Sequence, residues 1–254
     1  MRYLKLTIAY DGTDYCGWQV QRNGVSIQQR LEQAWTKITS EQIRITASGR
    51  TDGGVHARAQ VCSLATETHL SHHALLRALN AETPFDIAIL SVEAAPDGFH
   101  AIRDAVDKTY VYQIQYGRIL DPLRRRTWWH VPGDLNISAM REAAQHLIGT
   151  HDFASFQSAG ADRKTTVRTV HQLKLDNADQ PPFPGLMVTI TANGFLYKMV
   201  RNIVGSLVRV GRGSETVAWL AWVRDQKNRE SAGQAAPAHA LILDHVRYAR
   251  PGGD

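Results

Sequence analysis

The chain has 254 residues, enough for one large domain or two small ones with real cores. Its hydrophobic (43%) and charged (21%) content is that of an ordinary globular protein, and 29 Lys and Arg against 24 Asp and Glu give a net charge of +5 that suits a polyanionic partner without requiring one. Two cysteines, Cys16 and Cys62, lack any CxxC spacing and exclude a disulfide scaffold or a cysteine zinc site, and no stretch is apolar enough to span a bilayer.

Met1-Arg2 run directly into a strand pattern, with no apolar leader-like segment, so a soluble cytoplasmic protein is expected. Leu4, Leu6, Ile8 and Tyr10 alternate with Lys5, Thr7 and Ala9, the period of a strand with one buried face. Asp11-Gly12 ends it, and a loop with Tyr15, Gly17 and Trp18 follows. Ser26 to Gln29 reads as a capping box before Ile27, Leu31, Ala34, Trp35 and Ile38 at helical spacing. A strand at 43–47, a glycine-rich loop and a strand at 60–65 come next. A helix after Ser71 carries Leu75, Leu76 and Leu79 and stops at Pro84, and Asp86 to Val92 reads as a strand. This order predicts an α+β half with a sheet backed by helices.

Ala94 to Asp107, with Pro96-Asp97-Gly98, is the expected boundary, dividing the chain into 1–104 and 105–254. The second half opens on Tyr110, Tyr112, Ile114 and Tyr116 along one strand face, then an irregular stretch with Arg124-Arg125-Arg126 and Trp128-Trp129. A helix from Ser138 should bury Met140, Ala143, Leu147 and Ile148 and end at Gly149 as a C′ glycine. Strands at 167–175 and 186–192, helices at 196–210 and 217–223, and a last strand at 241–248 complete a second mixed half with an antiparallel sheet.

The stretch Ser48-Gly49-Arg50-Thr51-Asp52-Gly53-Gly54-Val55-His56-Ala57 stands out. Taken alone it is either a turn with a weak surface ion pair or a rigid strand-end loop holding a charged nucleophile. On the 196–212 helix, Lys198, Arg201, Arg209 and Arg212 share a stripe with Gly205 in its middle, opposite Val200, Ile203, Leu207 and Val210. That stripe is a solvated face, or one turned to a cleft where Gly205 lets a phosphate or another element come close. Eleven histidines include no spacing that assembles three or four metal ligands, and neither a phosphate loop nor a dinucleotide fingerprint occurs.

The Ser48–Ala57 string resembles the Gly-Arg-Thr-Asp-Ala-Gly-Val-His-Ala signature of the tRNA pseudouridine synthase A (TruA) family, with Gly53 in place of the usual Ala. Further stretches are similar to the same family in the same order. They are Tyr10-Asp11-Gly12 with Tyr15, Gly17 and Trp18-Gln19; Lys108 to Tyr112; Gly149 to Phe153 with Ser155-Phe156; Phe195 to Leu207; and Ala236-Pro237-Ala238 with Leu241. Departures are Gly53, His239-Ala240 where a glycine usually precedes the leucine, and Asn80 to Pro84, which lacks the leucine common before that proline. The resemblance implies two α/β domains, each with a mainly antiparallel sheet backed by helices, a catalytic cleft between them, and a homodimer. It implies isomerisation of uridine to pseudouridine at positions 38, 39 and 40 of the tRNA anticodon stem-loop, with Asp52 catalytic, Tyr110 stacking on the substrate, and Arg50 and Arg201 in support. The N1–C1′ bond breaks, the uracil turns, and C5 bonds to C1′. No redox step and no added water are needed, so neither cofactor nor metal is implied. The carboxylate attacks C1′ or takes the 2′ proton on a glycal route, and the sequence leaves both open. The competing readings are a catalytically silent RNA-binding protein with the same basic cleft, and a metal-dependent phosphohydrolase using Asp52 with histidines.

Overall fold

The computed structural model describes residues 1–160 and 164–249, which cluster into two compact units. The first holds Met1–Val106 together with the chain from Ile242 onward, and the second holds Asp107–Leu241. Sequence order puts everything after residue 104 in the second half. The last strand instead joins the first unit, because its Ile242 and Leu243 pair in parallel with His56 and Ala57.

In the first unit the elements run β1 (Arg2–Tyr10), α1 (Ile27–Thr39), β2 (Thr46–Ala47), β3 (His56–Thr66), α2 (His72–Glu82) and β4 (Ile87–Ala95), with β10 (Leu241–Tyr248) returning from the chain end. The sheet order is β4-β1-β3-β10, with β2 also on β3, and every pairing but β3 with β10 is antiparallel. Leu4, Leu6 and Ile8 are buried as the alternation predicts, and so are Ile27, Leu31, Ala34 and Trp35 on α1. Ser26 caps α1 by accepting the Gln29 amide, and Ser71 caps α2 by accepting that of Ala74. The strand expected at 43–47 shrinks to two residues because α1 side chains take the backbone groups. The Ile45 amide donates to Glu32 Oε1 (2.9 Å), and its carbonyl accepts from Gln28 Nε2 (3.0 Å).

The second unit contains β5 (Ala105–Tyr116, begun in the first unit), β6 (Trp129–Val131), α3 (Ile137–Gln145), β7 (Gly149–Asp152), β8 (Val167–Asn177), β9 (Gly185–Ala192), α4 (Met199–Gly211) and α5 (Val217–Gln226). Its sheet runs β5-β9-β8-β7 antiparallel, with β6 added in parallel beside β5. α3 packs on α4, α5 and β8. Asn136 caps it, so that it starts at Ile137, one residue before the expected start near 138, and Gly149 lies three residues past the His146 C-cap, opening β7 at φ +108°. The expected fold class, two α+β halves with mainly antiparallel sheets backed by helices, is the one observed. Among the described residues no helix is long and apolar enough to cross a membrane.

Candidate active site

Asp52 lies half-buried in the Ser48–Val55 loop between β2 and β3. The β1–α1 connection is laid against that loop. Trp18 donates its amide to the Thr51 carbonyl (3.0 Å), and Gly17 bridges to Asp52 itself. Two glycines permit this approach. A Cβ on Gly12 would stand 2.0 Å from the Val55 carbonyl oxygen, and one on Gly17, at φ +114°, 2.7 Å from that of Thr51. The loop closes on itself through the Val55 amide and the Asp52 carbonyl (3.1 Å). Below it, Tyr10 and Thr51 share a hydroxyl–hydroxyl bond of 2.8 Å, and burial pushes the Tyr10 phenol up so that it stays protonated.

His56 opens β3 with its Nδ1 3.0 Å from the Gly12 amide nitrogen and 3.0 Å from Asp11 Oδ1. Nδ1 cannot accept from the first and donate to the second at once. The Gly12 amide donates to Nδ1, which ties the end of β1 to the loop, and Asp11 lies beside the same nitrogen. Arg50 is exposed, and among the described residues it makes no hydrogen bond and no ion pair, with Asp52 or any other carboxylate. The two-residue spacing of Arg50 and Asp52 therefore does not produce the surface ion pair that the bare sequence allows.

In the second unit, Tyr110 on β5 is 7% exposed, with Phe195 edge-on to its ring at 5.0 Å. Tyr112 is fully buried and donates its hydroxyl to the Pro237 carbonyl (2.8 Å), so it packs in the sheet. Arg201, in the first turn of α4, donates Nε to the Ala236 carbonyl (2.7 Å), and the Ala236 amide donates back to the Arg201 carbonyl (3.0 Å). Three stretches singled out separately in the sequence, 108–112, 199–205 and 236–238, are thus joined by hydrogen bonds. Their convergence was not legible in the chain, because bonds to the backbone of a segment distant in sequence leave no period.

α4 is not amphipathic in the expected sense: all its residues but Arg201 and Arg209 are buried. Gly205 is the reason on one side, where its Cα faces the Gln234 carbonyl. Asn202 and Ser206, both without exposure, are satisfied by the Phe156 carbonyl and the Gly233 amide. Of the basic stripe, Lys198 precedes the helix at φ 58° and lies over the Tyr197 ring, while Arg209 is ion-paired with Glu215 and lies over Trp219. The His151-Asp152 pair is held by local hydrogen bonds. Asp152 accepts from the Thr166 hydroxyl and the Ala154 amide, and His151 Nε2 meets the Ile148 carbonyl. Among the described residues no three His, Cys, Asp or Glu side chains gather as a ligand set.

A family model described as tRNA pseudouridine synthase matches residues 6–103 and 143–249, which include Asp52, Arg50 and Arg201 but not Tyr110. A tRNA pseudouridine synthase A of Pelobacter propionicus is 44% identical over 249 residues, covering 98% of this chain and 100% of that protein. One from Geobacter sulfurreducens is 44% identical over 248 residues with the same coverage. The tRNA pseudouridine synthase A 2 of Clostridium perfringens is 40% identical over 248 residues, again spanning 98% and 100%.

Proposed function

The chain belongs to the tRNA pseudouridine synthase family, and from that premise we propose that it isomerises uridine to pseudouridine at positions 38, 39 and 40 of the tRNA anticodon stem-loop, with Asp52 as the nucleophile. The observation that carries this reading is the setting of Asp52. It is a half-buried carboxylate on a loop held by the glycine-lined β1–α1 connection on one side and by β3 on the other. A nucleophile has to meet its carbon within a few tenths of an ångström, and such a clamp supplies that accuracy where an ordinary loop would not.

The reaction is an isomerisation that keeps the composition of the nucleotide while exchanging the C5 hydrogen with solvent. Asp52 attacks C1′ as the N1–C1′ bond breaks, the freed uracil turns, C5 bonds to C1′ as the Asp52–C1′ bond breaks, the C5 proton leaves to solvent and N1 takes one up; abstraction of the 2′ proton by Asp52 is the alternative first step. The target base must first leave the helical stack, which costs a few kcal/mol. Tyr110 is the proposed platform for that base, its ring fixed by Phe195. Arg50 and Arg201 are the proposed cationic supports toward the anionic RNA, Arg50 by its exposure and Arg201 by the anchoring of its Nε. A cytoplasmic homodimer is the working state that the family resemblance implies, and light scattering of the purified protein measures it.

The test uses unmodified tRNA with tritium at uridine C5. The wild-type chain should release tritium in EDTA, whereas Asp52→Asn should release none while binding tRNA within about tenfold of wild type, a difference of ~1.4 kcal/mol. Turnover by Asp52→Asn would remove Asp52 from the nucleophile role. Binding without release by the wild type would leave an RNA-binding protein that does no chemistry.

A further inference from the structure

Gln60 sits in the middle of β3 with no exposed surface, among buried Val61, Cys62 and Leu64. An apolar residue would serve packing there, and a buried amide needs a reason. Among the described residues, each hydrogen bond of its side chain goes to the Asp52 loop or to the tyrosine beneath that loop. Its Oε1 accepts from the Ser48 hydroxyl (2.7 Å), and its Nε2 donates to the Gly49 carbonyl (2.8 Å). The same Nε2 stands 3.5 Å from the Tyr10 hydroxyl, which holds Thr51 at 2.8 Å. One side chain therefore bridges two consecutive loop residues and, through Tyr10, reaches a third. Ser48, Gly49 and Thr51 are three of the four residues that lead into Asp52.

We propose that Gln60 is a positioning residue for Asp52, holding the loop backbone so that the carboxylate meets the sugar carbon at reactive distance. This rests on the reading of Asp52 as the nucleophile. The physical case is one of precision. A misplacement of about 1 Å at a reacting group is enough to slow a reaction by roughly a hundredfold. Substrate affinity is set mainly by phosphate contacts elsewhere and tolerates such a shift. The signature of positioning is therefore a loss in kcat without a matching loss in KM.

Two variants separate this from a purely structural role. Gln60→Met keeps length and volume but removes every hydrogen bond, and Tyr10→Phe keeps the ring and removes the hydroxyl that reaches Thr51. Both are assayed on unmodified tRNA, with circular dichroism and thermal melting to establish the folded fraction. Gln60→Met should lower kcat by about 10- to 100-fold with KM and tRNA affinity within about twofold. Tyr10→Phe should move kcat in the same direction by a smaller factor. Folded Gln60→Met with wild-type kcat overturns the proposal. So does a kcat loss matched by equal losses in KM and tRNA affinity, which marks general loosening. If Gln60→Met does not fold, Tyr10→Phe decides, and an unchanged kcat there overturns the proposal. Asp52→Asn run alongside keeps the two readings apart. An active Asp52→Asn removes the premise and the proposal together, whereas an inactive one beside wild-type-like Gln60 and Tyr10 variants removes the positioning role alone.

Discussion

Gly205 offers a test in which two well-known effects oppose each other. In a helix interior, replacing glycine by alanine stabilises by about 0.8–1.0 kcal/mol. At this site the new Cβ would lie 1.8 Å from the Gln234 carbonyl oxygen, 3.0 Å from its carbon and 3.3 Å from the Ala236 nitrogen. An ordinary carbon–oxygen contact is about 3.3 Å or more, so the 233–236 segment would have to retreat by roughly 1.5 Å. Bonds that tie it to α4 are the Ala236 amide to the Arg201 carbonyl (3.0 Å), Arg201 Nε to the Ala236 carbonyl (2.7 Å), and the Gly233 amide to Ser206 Oγ (2.9 Å). A retreat of that size takes them past hydrogen-bonding distance. Two neutral bonds at about 1 kcal/mol and one charged bond at about 2 make a loss of roughly 4 kcal/mol, several times the helix gain. Gly205→Ala should therefore lower Tm by roughly 5–15 °C in a chain of this size. Calorimetry on the two proteins measures it. The sequence also allowed Gly205 to make room for a phosphate, and in that case alanine would raise Tm while weakening tRNA binding. A variant as stable as wild type or more so would refute the close-approach argument.

Much of the fold was legible because it follows local rules. Alternation in Leu4, Leu6 and Ile8, the caps Ser26 and Ser71, and the stop at Pro84 each act over a few residues, and β10 occupies the expected 241–248. Features set by partners distant in sequence were not legible. β2 is cut short by Gln28 and Glu32, thirteen or more residues back in the chain, and β10 joins β3 by pairing in space. A helical projection gives the angle of each α4 side chain but not what covers it, so buried Ser206 and Gly205 were not separated from an open face. The catalytic candidate itself was found by the Ser48–Ala57 signature, since one Asp between glycines is otherwise an ordinary turn. Gln60 had no such signal: a single polar residue in a strand is read as its solvent side, and only the loop folded over it shows otherwise.

Tyr110→Phe should keep most tRNA affinity, whereas Tyr110→Ala should lose ~1–3 kcal/mol of it along with ~3–5 kcal/mol of stability from truncating a buried ring; a fully active Tyr110→Ala would end its substrate role. Lys198→Ala should flatten the salt dependence of tRNA binding by about one counterion, and Arg209→Ala by less because Glu215 already neutralises that guanidinium; unchanged slopes in both would return them to a solvated face. Burial raises the Glu41 carboxyl, but the Thr66 hydroxyl, the Trp35 indole and the Glu67 and Thr68 amides outweigh it and hold it low. A carboxyl lowered on folding stabilises above its unfolded value of about 4.3 and ceases to as pH falls through the folded one, so Tm should hold above about pH 5 and drop below about 4, less steeply in Glu41→Gln. An equal acid drop in that variant would show that Glu41 does not contribute. The last prediction concerns Gly53, where the signature of the family usually has alanine. Its φ is not positive, so an alanine can adopt its backbone conformation. The added Cβ would stand 3.3 Å from the Cys16 carbonyl carbon and oxygen and 3.4 Å from the Tyr15 oxygen, a crowding relieved by movements of a few tenths of an ångström. Restricting the unfolded chain stabilises by about 0.4–1 kcal/mol, and mild overpacking costs about 1 kcal/mol, so the two nearly cancel. Gly53→Ala should therefore melt within about 3 °C of wild type and turn over within a few-fold. Gly12→Ala is the control, because its Cβ would lie 2.0 Å from the Val55 carbonyl and cannot be accommodated without moving the Asp52 loop. It should lose both stability and kcat. If Gly53→Ala fell as far as Gly12→Ala, the 15–16 backbone would be far less yielding than these distances require, and Gly53 would be a requirement of this chain instead of a tolerated departure.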